Sequence, residues 1–260
     1  MILLSGYSTS KVIKSLLLVT AFLGLSFQTG DKDFKSSQTK YKRVKTAYEK
    51  KWDGLKKALA DKGVNSSNFE THIRCFKYEK QLEVWCRSKG AQKFELIKTI
   101  AICASSGNLG PKRRQGDGQV PEGFYEVSWF NPMSDYHLGL KINYPNASDR
   151  KKAKAKDPGG DIMIHGNCVT IGCIPLEDEP IEELFVLCVE SKNNKHDIGV
   201  SIYPFQMNEK NWNSVKQKTQ DQELITFWTQ LRTAYTYFEN NHAMPPVKVN
   251  KEGDYEIQTK

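Results

Sequence analysis

Between residues 40 and 61 the apolar positions Val44, Tyr48, Trp52, Leu55 and Leu59 recur at three- and four-residue spacing. They make one stripe, which predicts an amphipathic helix stopped by Lys62-Gly63, with Trp52 as a packing anchor. The preceding residues 31–39 are polar and read as flexible. From Phe69 the period shortens to two. Residues 72–78 and 81–87 alternate about Glu79-Lys80 as a hairpin would, and residues 94–103 read as a further strand. Residues 105–123, rich in Gly and Pro, read as loop. Strands are expected at 124–130 and 136–144, joined by the turn signal Asn131-Pro132. Residues 145–160 have almost no apolar content and predict a solvated loop, or a lid or anion-binding edge leading into the apolar strand that opens at Asp161. Helices are expected at 179–190, with Pro180 in the first turn, and at 223–240. A strand falls at 198–205, and 247–257 forms a short final strand or a surface segment. The strands run consecutively instead of alternating with helices. That argues against a doubly wound parallel sheet and for an α+β fold, mainly β and antiparallel, with flanking helices.

The chain of 260 residues is long enough for one good-sized domain with extensions. Its N-terminus changes the picture of where that domain works. Lys11 and Lys14 precede an uncharged apolar run of 13 residues, 15–27, the length of a signal peptide and short for a membrane span. Residues 1–30 therefore read as a signal peptide, or as an N-terminal anchor if uncleaved. Removing their two lysines lowers the net charge from +8 to +6. That excess suits polyanions, and export favours the cell wall over nucleic acid. Six cysteines outside the cytosol permit disulfides. Cys75, Cys86, Cys103 and Cys188 lie in strand-like apolar text and read as buried thiols.

The segment from Asp161 to Ile174 carries the candidate chemistry. His165-Gly166 ends an apolar strand, and Gly172-Cys173 follows after a short return. A cysteine catalyst needs a thiolate, a base and donors for an oxyanion. Cys173 is the candidate nucleophile and His165 its partner. Gly166 lets the chain turn, and Gly172 permits a tight turn whose backbone N–H groups could meet an oxyanion. His137 is a second candidate base, a substrate contact or a core histidine. Cys168 opens two other readings: a zinc site with His165 and Cys173, which lacks the usual second ligand pair, or a disulfide with Cys173.

Ile164-His165-Gly166 with Gly172-Cys173-Ile174 resembles the catalytic signature of L,D-transpeptidases, cysteine enzymes that act on peptidoglycan stem peptides. Further segments resemble the murein subfamily that includes the enzyme releasing Braun lipoprotein from peptidoglycan. They are Gly118-Gln-Val-Pro121-Glu122-Gly123-Phe-Tyr125, Phe130-Asn131-Pro132-Met-Ser134-Asp-Tyr-His137-Leu, Asn143-Tyr144-Pro145-Asn146-Ala-Ser-Asp149, and Asp178 followed by Glu182-Glu183-Leu. The resemblance implies a β-sandwich catalytic domain of L,D-transpeptidase type over 68–206, after an N-terminal helix in 31–67 and before a C-terminal helical extension in 207–260. It implies that Cys173 attacks the carbonyl of a third-position diamino acid such as meso-diaminopimelate, that His165 shuttles the proton, and that no metal or organic cofactor takes part. Gly166, His137, Asn131, Ser134, Tyr144 and Arg113 become candidate substrate contacts. The implied partners are peptidoglycan stem peptides and a wall-attached lipoprotein, not nucleic acid. The implied state is a monomer in the periplasm or cell envelope. One position departs from the wider family, which carries Arg two residues after the cysteine where this chain has Pro175. Lys112, Arg113, Arg114 and the lysines of 151–156 are candidates to replace it. An amine acceptor would make the reaction a transpeptidation, and water would make it a hydrolysis. A catalytically silent wall-binding protein is the alternative that the missing arginine, the basic loop and Cys168 suggest.

Overall fold

A computed structural model describes residues 33–259. The leader expected at 1–30 lies outside the described residues. The elements run α1 (Phe34–Gln38), α2 (Lys42–Asp61), β1 (Phe69–Phe76), β2 (Gln81–Ser88), β3 (Glu95–Ala101), β4 (Gly123–Asn131), β5 (Gly139–Ile142), α3 (Ala147–Lys152), β6 (Met163–His165), β7 (Ile174–Pro175), α4 (Asp178–Asn193), β8 (Gly199–Tyr203), α5 (Glu209–Lys218), α6 (Gln222–Asn241), β9 (Val247–Val249) and β10 (Tyr255–Ile257). The fold is α+β. Eight strands form one mixed sheet in the order β3-β2-β1-β8-β4-β5-β6-β7, and β9 and β10 form a separate pair. Two neighbours are parallel, β1 with β8 and β6 with β7. The other pairs are antiparallel.

Strand alternation divides the core. Ile73 and Cys75 of β1 join the cluster that α2 and α4 cover with Val44, Leu55, Leu59, Ile181, Leu184 and Phe185. Phe76, on the opposite face, joins Tyr203, Phe205, Trp228, Leu231 and Tyr235, which α6 closes. Arg74 shares that side, buried beneath α6 and paired with Glu83 and Glu239. A second buried network ties α6 to the loop before β4. Glu122 accepts hydrogen bonds from Trp228 Nε1 (2.8 Å), Gly110 N (2.7 Å) and Lys77 Nζ (2.9 Å). Lys77 spends its other two protons on Gly110 O and Val120 O.

Three sequence expectations are corrected here, and one helix falls where no individual element was assigned. Residues 31–39 are not all irregular: Asp33 caps α1 by accepting from Ser36 N at 2.6 Å. Residues 145–160 contain α3, held by a capping box between Asn146 and Asp149 and not by an apolar stripe. A polar helix, α5, follows β8, anchored by buried Trp212. The strand expected at 136–144 is shorter, because His137 takes φ +65° in the turn before β5.

Candidate active site

The register of β6 and β7 brings the two candidate groups together. Ile164 pairs with Ile174 and His165 with Pro175. Carrying the same register one residue back sets Cys173 beside Met163. Side chains two apart along a strand share a face, so His165 and Cys173 point to the same side on neighbouring strands. Both line one cleft of ≈ 550 Å³ with Lys112, Tyr136, Asp161 and Thr170.

His165 is 2% exposed. Its Nδ1 lies 2.6 Å from Gly166 O. A carbonyl only accepts, so Nδ1 carries the proton and neutral His165 presents the Nε2 lone pair. The ring packs on Tyr136 with centroids 4.7 Å apart. Burial holds the imidazole below its usual pKa, and the Gly166 carbonyl opposes that shift. The Cys173 thiol donates to Asp161 O at 3.6 Å. Burial pushes it above the usual thiol range, against the Met163 amide, while the Asp161 charge raises it further and the Lys112 charge lowers it. Both burial effects favour the neutral thiol–imidazole pair over a preformed thiolate–imidazolium pair.

Each glycine has a steric reason. At Gly172, φ is +139° and a Cβ would stand 3.1 Å from Gln119 O. At Gly166 a Cβ would meet Asp178 Oδ1 at 2.7 Å and His137 Cβ at 2.8 Å. Gly166 is thus packed between the turn before β5 and the start of α4. The loop between the glycines is knotted by side chains. Thr170 Oγ1 accepts from Gly172 N (3.1 Å) and donates to Cys173 O (2.8 Å), and Asp178 accepts from Asn167 N (3.1 Å). The Gly172 N–H is therefore spent on the loop. The Cys173 N–H has no partner among the described residues and is a donor available to an oxyanion.

Cys168 is bonded to Cys103, with Cα atoms 5.4 Å apart. This corrects the reading of Cys103 as a buried thiol, and it removes Cys168 both from a zinc site and from a bond to Cys173. Cys75, Cys86 and Cys188 are buried free thiols. The bridge joins the exposed loop before Cys173 to the segment just after β3, whose Cys103 N–H also donates to Pro175 O at 3.1 Å.

The remaining candidates stand elsewhere. His137 Nε2 lies 2.9 Å from Glu182 Oε1, and the ring faces a hollow with Arg43 and Asp178, outside the Cys173 cleft. Asn131 accepts from Met133 N, and Ser134 Oγ from Tyr136 N, so both fold the turn that presents Tyr136. Buried Tyr144 donates to Pro158 O at 2.9 Å and braces the cleft wall. Arg113 lies 3.4 Å from Asp149 and over the Phe227 ring, in a different cavity. Sequence reasoning passed over Tyr136 and Gln119. Tyr136 had a signal, an aromatic next to a named histidine; the contact of Gln119 with Gly172 is made only by the fold.

The profile of the YkuD domain, the L,D-transpeptidase catalytic domain, matches residues 71–193. The protein named "Putative L,D-transpeptidase YafK" from Escherichia coli (strain K12) is 37% identical over 181 residues, 68% of this chain and 70% of that protein. Among solved structures, the helical cell shape determining protein Pgp2 from Campylobacter jejuni aligns with a TM-score of 0.43 at 20% identity, over 75% of this chain and 80% of that chain. Bd1075 of Bdellovibrio bacteriovorus aligns with a TM-score of 0.37 at 16% identity, over 70% and 77%.

Proposed function

Because the chain belongs to the YkuD L,D-transpeptidase family, we propose that it is an exported cysteine acyltransferase that works on peptidoglycan stem peptides through a thioester on Cys173. The observation that carries this reading is the shared face of His165 and Cys173 in one cleft, with Nε2 free to accept a proton. As sulfur attacks the donor carbonyl, the thiol proton passes to Nε2 and the carbonyl oxygen turns to the Cys173 N–H. The imidazolium then protonates the leaving amine, the C–N bond breaks and a thioester remains. In the second half-reaction His165 takes a proton from the incoming amine, which attacks the thioester. Collapse returns the proton to sulfur. The neutral resting pair means that His165 acts as a general base within the attack.

Water can replace the amine. The loop flanking the thiol leaves Ile171 88% exposed, and this open rim supports a hydrolytic branch that would cut a diaminopimelate–protein or cross-link amide. Support for export comes from the Cys103–Cys168 bridge, since disulfides persist in oxidising compartments.

The test incubates the full chain with disaccharide tetrapeptides, with and without a wall-linked protein, and follows products by mass spectrometry. New amide products or released peptides that vanish in Cys173→Ala are expected. Unchanged turnover in that variant overturns the mechanism. Wild-type protein that retains sacculi yet yields no product favours a silent wall-binding protein instead.

A further inference from the structure

The cleft holds a cation that the chemistry above leaves unused. The Lys112 side chain is only 5% exposed yet lines the cleft with Cys173 and His165. An ammonium has three protons to donate. Lys112 gives one to Asp117 Oδ1 at 2.6 Å and one to Arg114 O at 2.9 Å. The third has no acceptor among the described residues. Lys77 makes the contrast: it borders the cavity on the other side of Cys173, and all three of its protons are spent on Glu122, Gly110 O and Val120 O.

Lys112 is also held in place. Asp117 accepts from the backbone N–H groups of Arg113, Arg114 and Gln119, which winds the loop around the carboxylate that fixes the lysine. Gly159, at φ +88°, crosses the lysine stem so closely that a Cβ would lie 3.2 Å from Cε. Of the other candidate cations, Arg114 and Lys156 do not line the cleft, and the rest are paired elsewhere. Arg113 pairs with Asp149, Lys152 with Asp254 and Lys154 with Glu223, while Lys151 donates to Asn250 O. Lys112 is the cation whose charge acts on the Cys173 thiol.

We propose that Lys112 is the carboxylate anchor of the Cys173 cleft: its third ammonium proton binds a free carboxylate of the acyl donor and sets the neighbouring carbonyl over the sulfur. That the donor is a stem peptide, in which diaminopimelate or a terminal residue supplies the carboxylate, rests on the acyltransferase reading. Carboxylate recognition itself does not.

Two alkylating agents separate these claims. Iodoacetate carries a carboxylate and iodoacetamide is its neutral counterpart. Their rate ratio at Cys173, read by peptide mass mapping, cancels differences in thiolate fraction, and the other free cysteines are buried. The wild-type ratio should exceed that of glutathione, fall about tenfold in Lys112→Met and largely survive in Lys112→Arg, as a single charge contact predicts. If Lys112→Met fails to fold because Asp117 is stranded, the Lys112→Met/Asp117→Asn double variant removes both charges together. An unchanged ratio in a folded variant lacking the lysine overturns the proposal. A lowered ratio supports it even when wild-type protein turns over no tetrapeptide, in which case the acyltransferase reading alone falls. With an active enzyme, Lys112→Met should raise KM for a tetrapeptide with free carboxylates and leave KM for its amidated form unchanged.

Discussion

His165 and Cys173 close the two ends of one short segment, but different forces hold them. The histidine end belongs to the sheet. Residue 165 pairs with Gly139 on one side and Pro175 on the other, and its ring rests on Tyr136. The cysteine end follows an exposed loop whose order depends on Thr170, on Asp178 and on a covalent bond to Cys103. A base built into backbone pairing keeps its place when the loop moves. A nucleophile hung on a loop keeps its place only while several side chains cooperate. The geometry of the proposed catalytic pair is thus set at one end by the sheet and adjusted at the other by the loop.

The comparison is broken most severely at the thiol. Cys173→Ala removes the attacking atom and should lower acyl transfer by at least about 10³-fold, with no change in melting temperature; mass spectrometry of products and a thermal melt check both halves. His165→Gln keeps the sheet pairing and loses the base. Product formation should fall roughly 10²–10⁴-fold, with circular dichroism unchanged. Third in size is the bridge. Cys103→Ser/Cys168→Ser frees a 65-residue separation, for which chain entropy predicts a loss of about 4 kcal/mol, with about 2 kcal/mol the lower end of common outcomes. Denaturant unfolding measures that loss. Activity should drop several-fold while the His165 imidazole resonances stay in place; if they move as far as the loop signals, the two ends are not independently held.

The pH dependence sharpens the comparison with the smallest change. Burial lowers the His165 pKa from 6.5 and raises that of Cys173 from 9.0. Iodoacetamide alkylation of Cys173 should therefore keep climbing above pH 9, without the plateau near neutrality that an ion pair would produce. His165 should titrate below 6.5 by NMR. It is neutral and able to accept a proton above that value, so turnover should fail on the acid side only below it. An alkylation plateau from pH 6 to 8 would point to a preformed thiolate.

What could be read in advance follows from which forces leave a local pattern. The stripe of Val44, Leu55 and Leu59 and the alternation on either side of Glu79-Lys80 report burial, and burial builds α2 and the β1–β2 hairpin. α3 and α5 bury little and left no stripe. α3 still had a readable signal, Asn146 three residues before Asp149, a pattern of capping and not of packing. His165 and Cys173 were legible because glycines flank them, and the glycines turn out to be required by Gln119 O, Asp178 and His137. The pairing of Cys103 with Cys168 was not legible, since connectivity does not follow from spacing. Nor was the turn of His137 toward Glu182, because α4 supplies that carboxylate from 45 residues away. Charge in the loop around Lys112 was visible. Which of its cations faces the thiol depends on how Asp117 and Gly159 fold around one of them.

The contact between Trp228 and Glu122 has a consequence for how this protein can be shortened, fused or recombined. A chain cut after β8 keeps every strand of the main sheet but strips Glu122 of its indole donor and uncovers a carboxylate that the intact fold buries completely. The same carboxylate anchors Gly110, at the head of the loop that carries Lys112 and Gln119. Exchange of the C-terminal helices between relatives should therefore succeed only when the indole travels with the glutamate. Those helices and the cleft loop are joined as one structural unit, although 106 residues separate Glu122 from Trp228 along the chain.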